Sequence, residues 1–349
     1  MGKADYLIIG QGLAGSCLAL ELLARGKSVL VADRQDAHSA SRVAAGMFNP
    51  ITSKVKGLTW NARVLFDYME TFYPTAEKIT GESFYHPLPM YRPFPVAADQ
   101  NGWESADPAF LKKVHTDSEY GRWVNDPFGG IELNRSGFVD TAKFTAAVSG
   151  YLYEKGCVAG DQFPGAVDYS FIDNCRSVAT RIIFCEGSQI IQNPFFSWLP
   201  VSRLKGEVLE TETDLPDNII FNRSVYLVPS GTNFRAGSTY DRSGVEGNTE
   251  QGISDIEQRL RVLLKVPFKT TGKSWGFRPV VRDRRPVIGP HPDENDLFVF
   301  NGLGTKGVSL APWCAARLAD YLTGAGSLPD ELNISRFYPL YFKYLQDSQ

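Results

Sequence analysis

Residues 6–33 read YLIIGQGLAGSCLALELLARGKSVLVAD, and the fold turns on how that stretch is parsed. Tyr6-Leu7-Ile8-Ile9 is an apolar run of strand length, followed at once by Gly10-Gln11-Gly12-Leu13-Ala14-Gly15. Residues 16–25 read as a helix stopped by Gly26, and residues 28–32 as a second apolar strand ending on Asp33. Strand, G-x-G-x-x-G, helix, strand and acid is the order a dinucleotide-binding turn requires. Each part has a physical task. Gly10 permits the tight turn, Gly12 lets backbone N–H groups approach a pyrophosphate, and Gly15 lets helix and strand pack closely. The helix N-terminus adds partial positive charge where phosphates lie, and Asp33 can accept from a ribose hydroxyl. A glycine turn alone is a weak signal; with both strands, the helix and the acid in place, the stretch predicts dinucleotide binding.

Working outward, 349 residues suffice for a large core and two domains. With 43% hydrophobic, 12% aromatic and 21% charged residues the chain is globular rather than disordered. A net charge of −3 with acids and bases mixed gives no electrostatic case for nucleic acid. No apolar run reaches membrane-spanning length, and a strand begins too early to leave room for a signal peptide, so a cytoplasmic protein is expected. Five cysteines without C-x-x-C spacing, three of them (Cys17, Cys185, Cys314) in apolar contexts, read as buried free thiols. Four scattered histidines make a metal site or a histidine-centred triad an unsuitable reading, and no metal is expected.

Along the chain, residues 41–50 (SRVAAGMFNP) are dense in small side chains, as where a backbone lies close to something, although a tight helix–loop junction reads the same way. A long helix is expected over 54–73, ending before Pro74. Residues 84–103, aromatic and proline-rich, suit interrupted edge strands that open a second, antiparallel domain. A short strand near 129–134 and a helix over 141–154, capped by Asp140 or Thr141, follow. Residues 156–163 and 181–185 read as parallel strands returning to the first domain. Strands are expected at 204–211, within 219–228, at 233–238 and at 297–300, with helices at 254–264 and 308–322. The nucleotide domain is thus built from both ends of the chain: residues 1–80, 136–203 and 273–349, interleaved with a substrate domain of 81–135 and 204–272.

Gly302-Leu303-Gly304-Thr305-Lys306-Gly307 also satisfies G-x-G-x-x-G. About forty residues follow it, without a second strand ending in an acid, so it is not a second nucleotide turn. Two readings stand: a glycine turn packed on the sheet, or a cap over the electron-accepting end of a flavin, aiming N–H groups and a helix N-terminus at its negative charge.

Six blocks, in order, are IIGQGLAGSCLALELLARG at Ile8, SRVAAGMFNP at Ser41, a weaker LPVSRLKGEV at Leu199, VYLVPSG at Val225, WGFRPVVRDRRPVIGP at Trp275 and FNGLGTKGVSLAP at Phe300. In these the sequence resembles the FAD-dependent amine and amino-acid oxidoreductases of the D-amino-acid oxidase, glycine oxidase and sarcosine oxidase group. The flavin module of the tRNA-modifying methylaminomethyl-uridine enzyme belongs there too. The resemblance implies an α/β and α+β fold: a Rossmann-type FAD-binding domain interleaved with a mostly antiparallel β-sheet substrate domain. It implies that Gly10, Gly12 and Gly15, with Leu13 and Ala14, hold the pyrophosphate of non-covalent FAD and Asp33 its ribose. Arg34, Ser41 and Arg42 would lie near the phosphates, Ala45, Gly46 and Met47 against the isoalloxazine, and Phe163 against adenine. Gly187 would adjoin the cofactor, and Gly304, Thr305, Lys306 and Gly307 would face the N1–C2=O edge of the flavin. Arg278 would hold a substrate carboxylate bidentately, assisted by Tyr226. From the residues alone, Arg278 could equally be a structural ion pair, Tyr226 a core aromatic and Lys306 a solvated surface group; as a cation beside reduced flavin, Lys306 would favour its anion.

The function so implied is oxidation of the CH–NH bond of an amino acid or related amine by hydride transfer to flavin. Oxygen or an electron-transfer partner would take the electrons. Three alternatives remain at this point: an NAD(P)-dependent dehydrogenase, for which Asp33 would be adequate, a flavin-bearing non-catalytic protein, and a tRNA-modification-related module.

Overall fold

The computed structural model describes residues 3–52, 57–103, 106–159 and 169–347. The apolar run of the opening stretch is strand Ala4–Ile9, inside a five-stranded sheet. It pairs in parallel with Val29–Ala32 on one side and Ala179–Phe184 on the other. Leu297–Asn301 continues the parallel set, and Val287–Pro290 adds an antiparallel edge. Helices Leu13–Ala24, Ala62–Thr80, Thr141–Glu154 and Gly307–Leu322 cover one face, where Ile8, Leu18, Phe66, Phe144 and Leu318 share a core. On the other face Leu7, Ile9, Phe184 and Val299 pack with Phe196, Trp198 and Tyr341. A sheet covered on both faces is why its strands read as unbroken apolar runs.

The second sheet has eight strands. In order across it they are Phe268–Val281, Val201–Thr213, Asn233–Gly237, Val225–Ser230, Ile220–Arg223, Met90–Pro93, Gly130–Leu133 and Leu111–His115. All neighbours are antiparallel except Ile220–Arg223 with Met90–Pro93. Helix Glu250–Leu263 packs on its outer face, sharing a core with Tyr91, Phe221 and Leu227. The two sheets alternate along the chain, so the expected interleaving of a Rossmann-type unit with a mostly antiparallel one is the observed fold. Val201–Thr213 and Phe268–Val281, both of the larger sheet, run across residues 204 and 273, where the sequence suggested changes of domain.

Helix Thr141–Glu154 starts as expected, with Asp140 accepting from the Lys143 N–H at 3.0 Å. Two expectations need correction. The helix drawn over 54–73 is Ala62–Thr80 and carries Pro74 inside it. Proline normally ends a helix by losing one hydrogen bond, but burial of Met69, Phe72, Tyr73 and Ala76 on one stripe carries this helix through, and Gly81 at φ +73° is the stop. Residues 219–228 split into two strands at Ser224, which adopts φ +61°. Of the strand expected over 156–163, residues 160–163 lie outside the described residues, and Val158 pairs in parallel with Val31 of the first sheet. No helix among the described residues is long and apolar enough to cross a membrane.

Candidate active site

A cleft of about 470 Å³ runs from the carboxyl ends of the parallel strands to the inner face of the larger sheet. Of the residues singled out in the sequence, all line it except Gly15 and Phe163; the latter lies outside the described residues. Gly15 is placed by packing instead: a Cβ there would stand 1.9 Å from the Gly10 carbonyl oxygen, so it fits helix to strand and does not contact the cleft.

At one end of the cleft Asp33 ties the glycine turn to the second strand. Its Oδ1 accepts from the Gln11 N–H at 2.8 Å and its Oδ2 from the Gln35 N–H at 2.9 Å, with Arg42 at 3.9 Å. Ser41 Oγ accepts from the Leu13 N–H at 2.9 Å, so residue 41 caps the first turn of the helix that Gly12 opens. At Gly46 (φ +66°) a Cβ would meet the Val139 carbonyl oxygen at 1.7 Å, so the small-residue block is small because backbone lies against backbone. Missed in the sequence was Glu186, beside Gly187. Its carboxyl is pushed up by burial, while Asn193 and Tyr169 donate to it at 2.8 and 3.0 Å and hold it partly down.

The second glycine turn reaches the same cleft. Asn301 donates through Nδ2 to the Gly187 carbonyl at 2.9 Å and accepts the Gly302 N–H at 2.7 Å, joining the two ends of the nucleotide unit. Gly304 donates to the Pro279 carbonyl at 2.9 Å, which fixes the turn against the strand that bears Arg278. Acid, helix N-terminus and glycine turn thus follow one another along one continuous wall. That donor set fits a flavin dinucleotide: an acceptor for ribose, N–H groups for the phosphates, and a backbone turn for the ring.

At the other end Arg278 lies flat on the larger sheet. A Cβ at Gly206 would overlap its guanidinium, so the glycine inside strand Val201–Thr213 makes the room. Glycine in a strand interior is a known sign of close approach and could have flagged the position. Nη2 donates to Ser238 Oγ at 2.7 Å and Nη1 to the Thr239 carbonyl at 3.4 Å, with the Tyr240 ring 5.3 Å away. Among the described residues no carboxylate pairs with Arg278, so the ion-pair reading has no partner. Tyr226 lies nearby, its hydroxyl 2.8 Å from where a Gly237 Cβ would be. Burial pushes that hydroxyl's pKa up, against the pull of Arg278.

Lys306 is half-buried. Burial, and the neighbouring Arg92 guanidinium after it, pull its ammonium down to about 8 from 10.5. Below pH 8 folded and unfolded chains both carry the proton, and the folded state bears the whole cost of the confined cation. Between 8 and 10.5 the folded protein has released the proton first, so that cost fades. Lys306→Met is therefore expected to be more stable than the native chain near neutrality, with a margin that shrinks through this window. Urea melts at the two ends of the window check it; a margin that grows with pH would contradict it.

The chain is 27% identical to the bifunctional protein ThiO/ThiG of Nostoc sp. over 93% of its own length and 53% of that protein. It is 25% identical to the tRNA 5-methylaminomethyl-2-thiouridine biosynthesis bifunctional protein MnmC of Marinobacter nauticus, over 92% and 56%. It therefore spans about half the length of these curated relatives. Glycine oxidase from Bacillus cereus shares the fold at a TM-score of 0.73 and 18% identity, with 93% and 99% of the two chains covered. Residues 5–321 match the family model of the FAD dependent oxidoreductases (DAO), and the chain belongs to that family.

Proposed function

We propose that this FAD-dependent oxidoreductase oxidises the CH–NH bond of an amino acid or related amine. One observation carries the reading: Arg278 presents its guanidinium to the cleft without an acid partner among the described residues, held open by Ser238 and Thr239. An arginine fork so placed suits a carboxylate. Tyr226, close enough to feel the arginine's charge, supplies a hydroxyl to the same group. With the carboxylate fixed there, the α-carbon is carried toward the wall formed by Met47 and the Gly304 turn, where the ring end of the cofactor would lie. When bound, non-covalent FAD supplies the two-electron oxidation. Lys306 would set positive charge on that side. No protein base is needed if the neutral amine is the reacting form; the imine is then hydrolysed by water.

The test is the visible absorption of the purified protein under anaerobic conditions, before and after adding glycine, N-methylglycine, and D- and L-amino acids in turn. Bleaching of a flavin spectrum by one of them is the expected result. A flavin spectrum that none of them, nor simple amines, bleaches would overturn the reading. The relatives named for tRNA biosynthesis make an RNA-linked alkylamine the second substrate class to add to that panel.

A further inference from the structure

A row of side chains crosses the inner face of the larger sheet, away from the strand that bears Arg278, and continues one strand past the residues that line the cleft. Val208, Gly237, Tyr226 and Asn222 stand opposite one another on successive strands, and all four line the cleft. The Ile220–Met90 pairing carries the row onward, because two residues further on each strand bring Asn222 level with Arg92. Arg92 itself is opposite Ile131. Two strand spacings, on the order of 10 Å, separate Tyr226 from Arg92.

The surroundings of Arg92 are apolar: Met90, Ile131 and Ile220 share its face and belong to one buried cluster with Ala45. Burial alone draws its pKa down, and no acid acts against that. Among the described residues its side chain makes no hydrogen bond and no ion pair. Lys306 is its charged neighbour, a second cation, and lies at the flavin end of the cleft. Asn222 adds an amide whose Nδ2, among the described residues, meets the thioether sulfurs of Met47 and Met90, at 3.8 and 3.6 Å, weak acceptors both. An arginine cannot shed its proton, and a confined charge without a partner is costly. Two cations and an amide nitrogen thus meet at one corner, and among the described residues no carboxylate pairs with either cation.

We propose that Arg92, with Asn222 beside it, forms a second anion subsite of the substrate chamber. It takes the distal carboxylate of an amine substrate whose amino-acid carboxylate is held at Arg278. The favoured substrate class is thus a dicarboxylic amine. This rests on the carboxylate role of Arg278 given above, and the test reads binding rather than turnover so that the two can fail separately.

The flavin-loaded protein is titrated calorimetrically with unbranched diacids of increasing length and with their monomethyl esters. The best diacid is expected to bind at least about tenfold more tightly than its half-ester, the scale of one charged hydrogen bond. Arg92→Met should bring that ratio to near one, and Arg92→Lys should leave an intermediate ratio, which covers the case in which the methionine variant folds poorly. A native ratio near one would mean that the arginine merely extends to water and would overturn the subsite; so would a ratio kept in Arg92→Met. If Arg278→Lys leaves both ligand classes bound as before while Arg92→Met abolishes the ratio, the carboxylate role of Arg278 falls and the Arg92 anion site stands.

Discussion

Gly15→Ala is expected to yield a protein that purifies without flavin and melts well below the native chain. The added methyl carbon would stand 1.9 Å from the Gly10 carbonyl oxygen and 3.0 Å from its carbon, with Ile8 Cγ2 at 3.2 Å. Backbone cannot swing aside as a lysine tip can, so the helix Leu13–Ala24 or the Gly10–Gly12 turn must move by more than an ångström. Neither is free to do so. The helix is buried along Leu13 to Leu22, and the turn is tied to Asp33 and to the Cys185 strand end, where Gly10 itself leaves no room for a Cβ. Overpacking of this kind costs about 3 kcal/mol, the upper part of the usual range, and here it also displaces the N–H groups meant for the phosphates. Gly26→Ala is the control. Unlike Gly15, which is helical, it has a positive φ (+70°), but a Cβ there meets nothing within 4 Å, so it should lose only the left-handed preference, about 1 kcal/mol, and keep its flavin. Flavin absorbance per chain and thermal melts of the two variants measure both effects; equal losses would remove the helix–strand contact as the cause.

The nucleotide half was legible because its signals are local. Strand, glycine turn, helix and acid are contiguous from Tyr6 to Asp33, and each residue's task is set by neighbours within that run. Arg278, Tyr226 and the second glycine turn were reached through resemblance, since nothing adjacent in sequence says that Gly206 must clear space for an arginine far along the chain. Long-range pairings hid the rest. Phe268–Val281 and Val201–Thr213 are one of the longest pairings of the fold, yet only the second reads as a strand, because lysines, threonines and glycines alternate along the first. Glu186 and Asn301 are invisible as site residues for the same reason: their partners, Tyr169, Asn193 and Gly187, come together only when the parallel sheet is assembled. Pro74 misled because a local rule met a buried stripe that outweighs it.

Arg278→Lys should retain flavin and fold while losing carboxylate affinity by about 1.5–3 kcal/mol, or roughly ten- to a hundredfold. The guanidinium is planar and rests on Gly206, where no other residue leaves space, and two of its nitrogens are already directed by Ser238 Oγ and the Thr239 carbonyl. Those contacts fix the plane of the fork without neutralising it, since a hydroxyl and a carbonyl carry no net charge. A carboxylate arriving at the remaining edge finds two parallel donors at fixed spacing. Lysine keeps the charge, but its single nitrogen can satisfy Ser238 or the ligand, and the flat space above Gly206 is left partly empty. The loss should therefore appear for carboxylates and be small for the corresponding amides. It should also be coupled to Tyr226: the hydroxyl is close enough to Arg278 for the cation to pull its pKa down against burial, so Tyr226→Phe and Arg278→Lys together should cost less than the two losses added. Titration of the flavin band with a carboxylate inhibitor in the four proteins of that cycle gives the answer. Equal affinity in native and Arg278→Lys protein would remove Arg278 from the substrate site, and strict additivity would separate it from Tyr226.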